Sequence, residues 1–247
     1  MLRSAAGELT DSDRHLIDRK RAEKLLRLNS YSPTAITQVN RCKFAFFCKY
    51  GLGLREDNIR ETGAALTGNV VHYCLEQLLR APDFISMPEE RIIHETEGNI
   101  IKYENEAFFE DFGGSKRFSY ILKNLSKYAV QAALRMQEEM SGSGFRPIEF
   151  EKELELRLGN ITVRGRCDRI DGANADGKAY VRVVDYKHSR SLKFDLGEVY
   201  KGHNLQMLLY LFGVCSRPDL LDPEAKAFFG NGGAVIVVVH TNFKNFP

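Results

Sequence analysis

Hydrophobic and polar positions change their period once along this chain. Up to about residue 140, apolar residues recur every three or four positions, as on one face of a helix; beyond it they alternate every second position, as on a strand. Residues 11–28 read as a charged amphipathic helix with Leu16, Ile17, Leu25 and Leu26 on its apolar side. Ser32 and Pro33 have the chemistry of a helix start, and Gly51 that of a stop, which predicts a helix of about four turns between them. Another is predicted over 62–80, where Val71, Leu75, Leu78 and Leu79 hold helical spacing. Two more are predicted near 88–109 and 116–140, before Ser-Gly-Ser-Gly at 141–144 breaks the pattern.

After the break, strands are predicted over 150–158 and 161–170, flanking Gly159-Asn160, a two-residue hairpin signal. A looser turn over 171–178 leads into a third strand, 179–187. Helical spacing resumes over 195–214, and the apolar run at 234–240 reads as a buried strand. The element order is helices, then β-β-β-α-β.

Composition narrows the functional classes without choosing one. The chain has 247 residues, 43% hydrophobic and 28% charged, enough for one large domain or for a core with a helical annex. A net charge of +2 does not announce nucleic-acid binding, so any basic footprint has to be local. Five cysteines without a Cys-x-x-Cys pair suggest reduced thiols. No apolar signal segment opens the chain, and nowhere do eighteen uncharged apolar residues run together. The expectation is a soluble, cytoplasmic protein with no membrane partner. No Walker-type phosphate loop is present.

The candidate chemistry begins at Val-Arg-Val-Val-Asp-Tyr-Lys, 181–187. Side chains two apart on a strand share a face, so Asp185 and Lys187 end a valine stripe as two charges pointing the same way. Such a pair is either a strand-end ion pair or, with Asp168 on the preceding strand, the residue set for phosphodiester cleavage: carboxylates for a hard divalent cation and a lysine beside the attacking water. In an ordinary hairpin with the looser turn, Asp168 and Asp185 are expected near opposed strand ends, so bringing them together requires a bend or a crossed arrangement.

Several ordered segments then carry a resemblance. Gly-Arg-Cys-Asp-Arg-Ile-Asp (165–171), Val-Val-Asp-Tyr-Lys-His-Ser (183–189), Val-Tyr-Lys-Gly-His-Asn-Leu-Gln-Met-Leu-Leu-Tyr-Leu (199–211), Thr-Gly-Asn-Val-Val-His-Tyr-Cys-Leu-Glu-Gln-Leu-Leu (67–79) and the stretch 32–56 resemble the PD-(D/E)XK nuclease domain of the RecB type. The likeness is closest to the C-terminal nuclease domain of the AddB component of the AddAB helicase-nuclease. It implies a restriction-endonuclease-like α/β core, a β-β-β-α-β mixed sheet flanked by helices, over 145–247. A helical region over 1–144 contributes a histidine motif, and the two are expected to form one compact unit.

The implied activity is a Mg²⁺- or Mn²⁺-dependent DNA exonuclease, acting on DNA, expected single-stranded, and partnered by a helicase subunit in break repair and recombination. A catalytically silent DNA-binding module of the same fold and a stand-alone exonuclease remain as alternatives. By the resemblance, His72, Asp168, Asp185 and the Tyr186 carbonyl hold the metal and Lys187 is the catalytic lysine. Gln206 and Tyr210 form a Gln-x-x-x-Tyr motif on one helix face, with Gln206 near the lysine and Tyr210 toward DNA. Glu151 matches a strand acid that supports the site or a second metal; a plain surface glutamate is the other reading.

Arg166, Arg169, Arg190, Lys193 and Lys201 are candidates for holding phosphates. Phe44, Phe46, Phe47 and Tyr50 either stack on bases or fill the core. Cys42 matches the first of four iron-sulfur cysteines in longer relatives. The downstream triplet is absent before Pro247, so a truncated relative and no iron-sulfur cluster are expected. His188 and Cys167 stand where the family more commonly has a small and an aliphatic residue.

Overall fold

The structure is a computed structural model that describes residues 20, 24–26, 28, 30–54, 62–107, 116–175, 178–187, 196–216 and 235–242. At 62–67, 104, 106–107, 116–119, 121, 178–179, 187, 196 and 235–242 it describes the backbone only. Most of the amphipathic pattern of 11–28 lies outside the described residues, as do His188, Arg190 and Lys193 and the side chain of Lys187.

The first helix, α1 (Pro33–Arg41), begins as its sequence dictates: Ser32 accepts from the Ala35 amide at 3.1 Å, and Pro33 occupies a position whose amide has no helical partner. It does not run unbroken to Gly51. Cys42 is extended, its sulfur caps α2 (Lys43–Phe46) by accepting from the Ala45 amide at 3.5 Å, and a π-helical turn (Phe47–Gly51) follows. Phe46 is buried between Tyr31 and Tyr50, while Phe44 is exposed.

Three long helices, α3 (Thr62–Leu79), α4 (Glu89–Ala107) and α5 (Lys116–Ser141), pack on one another through stripes at helical spacing. Val71, Leu75, Leu78 and Leu79 of α3 meet Leu122, Leu125, Ala129, Ala133, Met136 and Met140 of α5. That cluster also takes in Val184 and Tyr186 of the sheet, so the helical layer rests on one sheet face.

The sheet has the order β1 (Arg146–Leu158), β2 (Ile161–Ala175), β3 (Lys178–Lys187), β4 (Val235–Asn242), with β1, β2 and β3 antiparallel and β4 parallel to β3. The first hairpin turns at Gly159-Asn160. Strand β3 is central, and Val181 to Tyr186 are all buried, which explains an apolar run without alternation. Two further helices follow β3, α6 (Leu196–Tyr200) and α7 (Gln206–Ser216). The other sheet face is covered by α7, whose Met207, Tyr210, Leu211 and Val214 pack on Cys167, Ile170, Val181 and Val183. Among the described residues, no helix is long and apolar enough to cross a membrane.

The single helix expected over 195–214 is thus divided. Between α6 and α7 the backbone turns through Gly202 at φ +78° and Asn204 at φ +53°, left-handed conformations that glycine and asparagine tolerate best. Gly202 also approaches Asn40 closely: its carbonyl accepts from Asn40 Nδ2 at 2.7 Å, and a Cβ there would lie 2.4 Å from the same nitrogen. The break makes Gln206 the first residue of α7.

Candidate metal centre

The turn expected over 171–178 is much shorter. Strand β2 continues to Ala175, which pairs with Lys178, and the ladder runs back to Arg169 opposite Val184. Asp168 and Asp185 are therefore the next residues on two neighbouring strands, and no crossed arrangement is needed to bring them together. Their expected separation rested on ending β2 at residue 170, because Asp171, Gly172 and Asn174 carry turn chemistry. Burial of Asp171 and Ile170 in the sheet overrides it.

At this point the strands also invert their faces. Cys167 packs under α7, whereas Arg169, two residues on, contacts Met136 of α5 and Tyr186 on the opposite face. On β1, Leu154 faces α7 while Phe150 packs with the long helices, and Glu151 between them has φ +48°. The two-residue alternation thus slips by one position at Glu151 and Asp168 together.

His72, on α3, meets this slip. Its Nε2 lies 3.0 Å from the Tyr186 carbonyl and its Nδ1 3.7 Å from Asp168 Oδ2. Asp168 Oδ2 in turn accepts from the Tyr186 amide at 2.7 Å. A neutral ring that donates from Nε2 to a backbone carbonyl presents its Nδ1 lone pair to the carboxylate, the arrangement common for metal-ligating histidines. One ligand atom each of His72, Glu151 and Asp168 lie within 4.8 Å of one another, and among the described residues this is the one cluster of three such groups.

Burial, then the charge of Asp168, pushes the Glu151 carboxyl above its ordinary range, with Arg166 working against the rise. A cation removes that conflict. Around an octahedral cation with bonds of about 2.1 Å, ligand atoms sit about 3.0 to 4.2 Å apart. The separations found here need only a small contraction to fit. Two carboxylates and an imidazole suit Mg²⁺ or Mn²⁺.

Asp185 is not one of the three clustered ligands. It is 2% exposed, and its Oδ1 accepts from Gln206 Nε2 at 2.7 Å. The same amide nitrogen donates to the Tyr210 hydroxyl at 3.2 Å. Gln206 therefore addresses the aspartate. Tyr210 does not point toward DNA: it is buried under Gly165, and burial pushes its phenol up. A Cβ on Gly165 would lie 2.6 Å from Tyr210 Cε1, so only glycine admits the ring here. Lys187 ends β3 opposite Asn242 of β4, two residues beyond Asp185.

Among the basic candidates, Arg166 is exposed and pairs with Glu151 Oε2 at 2.9 Å, and Lys201 pairs with Glu198 at 2.9 Å. Arg169 is no phosphate contact: it is 1% exposed, paired with Asp171 and bonded to the Tyr186 hydroxyl. The inverted alternation turns it inward, where burial works against its charge but Tyr186 and Asp171 more than offset this. Cys42 is exposed, while burial pushes the Cys74 thiol up to about 12 and the Cys167 thiol up as well.

Sequence reasoning missed Asp171, Arg182 and Glu139, which complete the buried ion network around Arg169. The spacing Arg169-x-Asp171 announced a shared face, and nothing in the pattern announced that the face is interior.

The chain is 28% identical over 216 residues to the AddB-type component of the ATP-dependent helicase/deoxyribonuclease of Pediococcus pentosaceus, covering 79% of this chain and 18% of that protein. It is 29% identical over 227 residues to the protein of the same name from Clostridium perfringens, covering 82% of this chain and 19% of the relative. The chain thus spans about a fifth of the length of these curated relatives. A crystal structure of a candidate exonuclease from Eubacterium rectale is similar with a TM-score of 0.43 and 13% identity, over 96% of this chain and 74% of that one. The model of the PD-(D/E)XK nuclease superfamily matches residues 30–245, which take in all four strands, His72 and both aspartates. By that match the chain belongs to the PD-(D/E)XK nuclease superfamily.

Proposed function

We propose that this chain is a divalent-metal-dependent deoxyribonuclease domain, an exonuclease that trims DNA, single-stranded at the site, within a cytoplasmic helicase-nuclease of break repair and recombination. The helical region and the sheet core act as one unit in this reading, since His72 comes from the first and the carboxylates from the second. The observation that carries the reading is the convergence of His72, Glu151 and Asp168 within 4.8 Å. The names of the relatives support DNA as substrate and a helicase as partner.

A bound Mg²⁺ or Mn²⁺ supplies charge for the scissile phosphate and acidifies a coordinated water. His72, Asp168 and Glu151 are the residues to hold it, with Asp185 beside them and the Tyr186 carbonyl at the His72 ring. Asp185, oriented by Gln206, presents a fixed carboxylate at the end of β3. Lys187, two residues on, takes the proton of the attacking water or offsets charge developing on the phosphate oxygens. Arg166 and Lys201 lie on exposed surface suited to backbone phosphates.

The test is cleavage of end-labelled single-stranded DNA with Mg²⁺ or Mn²⁺, on linear and on circular substrate. Asp185→Ala and Lys187→Ala are expected to abolish cleavage while DNA binding persists, and circular DNA is expected to resist. A wild-type chain that binds DNA and never cleaves it with either metal indicates the silent module instead.

A further inference from the structure

The Tyr186 peptide touches both halves of the proposed cation site. Its amide donates to Asp168 Oδ2 at 2.7 Å, its carbonyl lies 3.0 Å from His72 Nε2, and its ring meets the imidazole edge-on with centroids 5.3 Å apart. Sliding this peptide by a fraction of an ångström along β3 changes both bonds together, and with them the 3.7 Å gap between His72 Nδ1 and Asp168 Oδ2. What fixes the peptide sits at the far end of the side chain.

The Tyr186 hydroxyl accepts from Arg169 Nη1 at 2.5 Å. Arg169 grips Asp171 with two nitrogens, Nε at 2.7 Å from Oδ1 and Nη2 at 3.0 Å from Oδ2. Asp171 Oδ2 also accepts from Arg182 Nε at 2.8 Å, and Arg182 pairs with Glu139 on α5. Tyr186, Arg169, Asp171 and Arg182 are each no more than 4% exposed, and the chain surfaces only at Glu139. Five residues thus connect the outside of α5, through the core, to the metal centre.

A buried ionic chain is a poor stabiliser compared with well-packed apolar residues of the same volume. What it does supply is directional bonds that fix a side chain in one place. Apolar packing alone would let the Tyr186 ring slide along the groove between α3 and α5; a charged hydrogen bond at the hydroxyl does not. We propose that Tyr186, anchored by Arg169 and Asp171, is a positioning residue that sets the separation of His72 and Asp168 for cation binding. The inference rests on the metal-site reading given above.

The test is isothermal titration of Mn²⁺ into the chain and into Tyr186→Phe, with circular dichroism and thermal melting as controls for folding. The variant keeps the ring and the peptide and loses only the hydroxyl. Folded Tyr186→Phe is expected to bind Mn²⁺ about tenfold more weakly, the scale of losing an outer-shell partner. Saturating Mn²⁺ is expected to restore cleavage, a split between metal affinity and turnover that a purely structural role would not produce. A folded variant with unchanged Mn²⁺ affinity overturns the proposal.

Should Tyr186→Phe fail to fold, Glu139→Gln at the surface end of the chain decides: weaker Mn²⁺ binding supports the positioning role, and unchanged binding overturns it. Asp168→Ala separates the two levels of the argument. Loss of Mn²⁺ binding there with no effect of Tyr186→Phe sinks this proposal alone, whereas retained binding in Asp168→Ala sinks the metal-site reading as well.

Discussion

Gln206 Nε2 donates to Asp185 Oδ1 at 2.7 Å, and this bond exists because the chain turns at Gly202 and restarts its helix at Gln206. An uninterrupted helix over 195–214 would carry no left-handed turn just before Gln206. A carboxylate that is 2% exposed gains a fixed donor from this arrangement and can keep its charge without a bulk-water shell. Gln206→Ala is expected to lower the cleavage rate about 10- to 100-fold, the range for outer-shell partners of metal sites. Gln206→Glu sets a second negative charge against Asp185 and is expected to be worse. Steady-state cleavage of labelled single-stranded DNA checks both.

Gly165 is where Tyr210 lies against the sheet. Gly165→Ala forces a Cβ to within 2.6 Å of Tyr210 Cε1 and 3.1 Å of Pro33 Cδ, so the ring and α1 must both shift. The expected cost is about 1–3 kcal/mol, as for other overpacked cores, read as a lower denaturation midpoint at unchanged m value. Cleavage is expected to fall too, because Tyr210 shares the Gln206 amide with Asp185.

The Glu151 carboxyl titrates above its ordinary 4.5, raised first by burial and then by Asp168. A raised acid favours the folded state while it is protonated, and that contribution is lost as pH rises through its folded pKa. In the metal-free chain, Glu151→Gln is therefore expected to match the wild type below about pH 4.5 and to melt at a higher temperature than it at neutral pH. Mn²⁺ affinity runs the other way: it rises with pH as Glu151 loses its proton, and Glu151→Gln flattens that limb while weakening binding. Melting and titration across this range check the two signs.

Asp171 is fully buried and is the shared counter-charge of Arg169 and Arg182. Asp171→Ala leaves two buried guanidinium groups facing one another and is expected to destabilise the fold by about 3–5 kcal/mol, the cost of breaking a buried pair from one side. Urea denaturation measures it.

The helix-to-strand change, the Gly159-Asn160 hairpin and the β-β-β-α-β order were legible because each follows from local periodicity and turn chemistry. The end of β2 was not: Asp171, Gly172 and Asn174 look like a turn, and only pairing with Arg182, Val181 and Ala179 makes them strand. That misjudged end hid the adjacency of Asp168 and Asp185. The inward turn of Arg169 was equally hidden, since strand alternation predicts that it shares a face with Cys167, and the slip at Asp168 reverses it. The break at Cys42 rests on its own sulfur capping α2, a cap that sequence rules assign to serine, threonine, aspartate or asparagine. His72 was legible as a candidate through its motif; its pairing with the Tyr186 peptide, 114 positions away, depends on how α3 lies on the sheet.

The central claim is that His72, Glu151 and Asp168 share one divalent cation. The direct measurement is the anomalous difference map of crystals grown with Mn²⁺. The account predicts a peak within coordination distance of the His72 imidazole and of the Glu151 and Asp168 carboxylates, and a peak remote from these three groups, or none at saturating Mn²⁺, contradicts it.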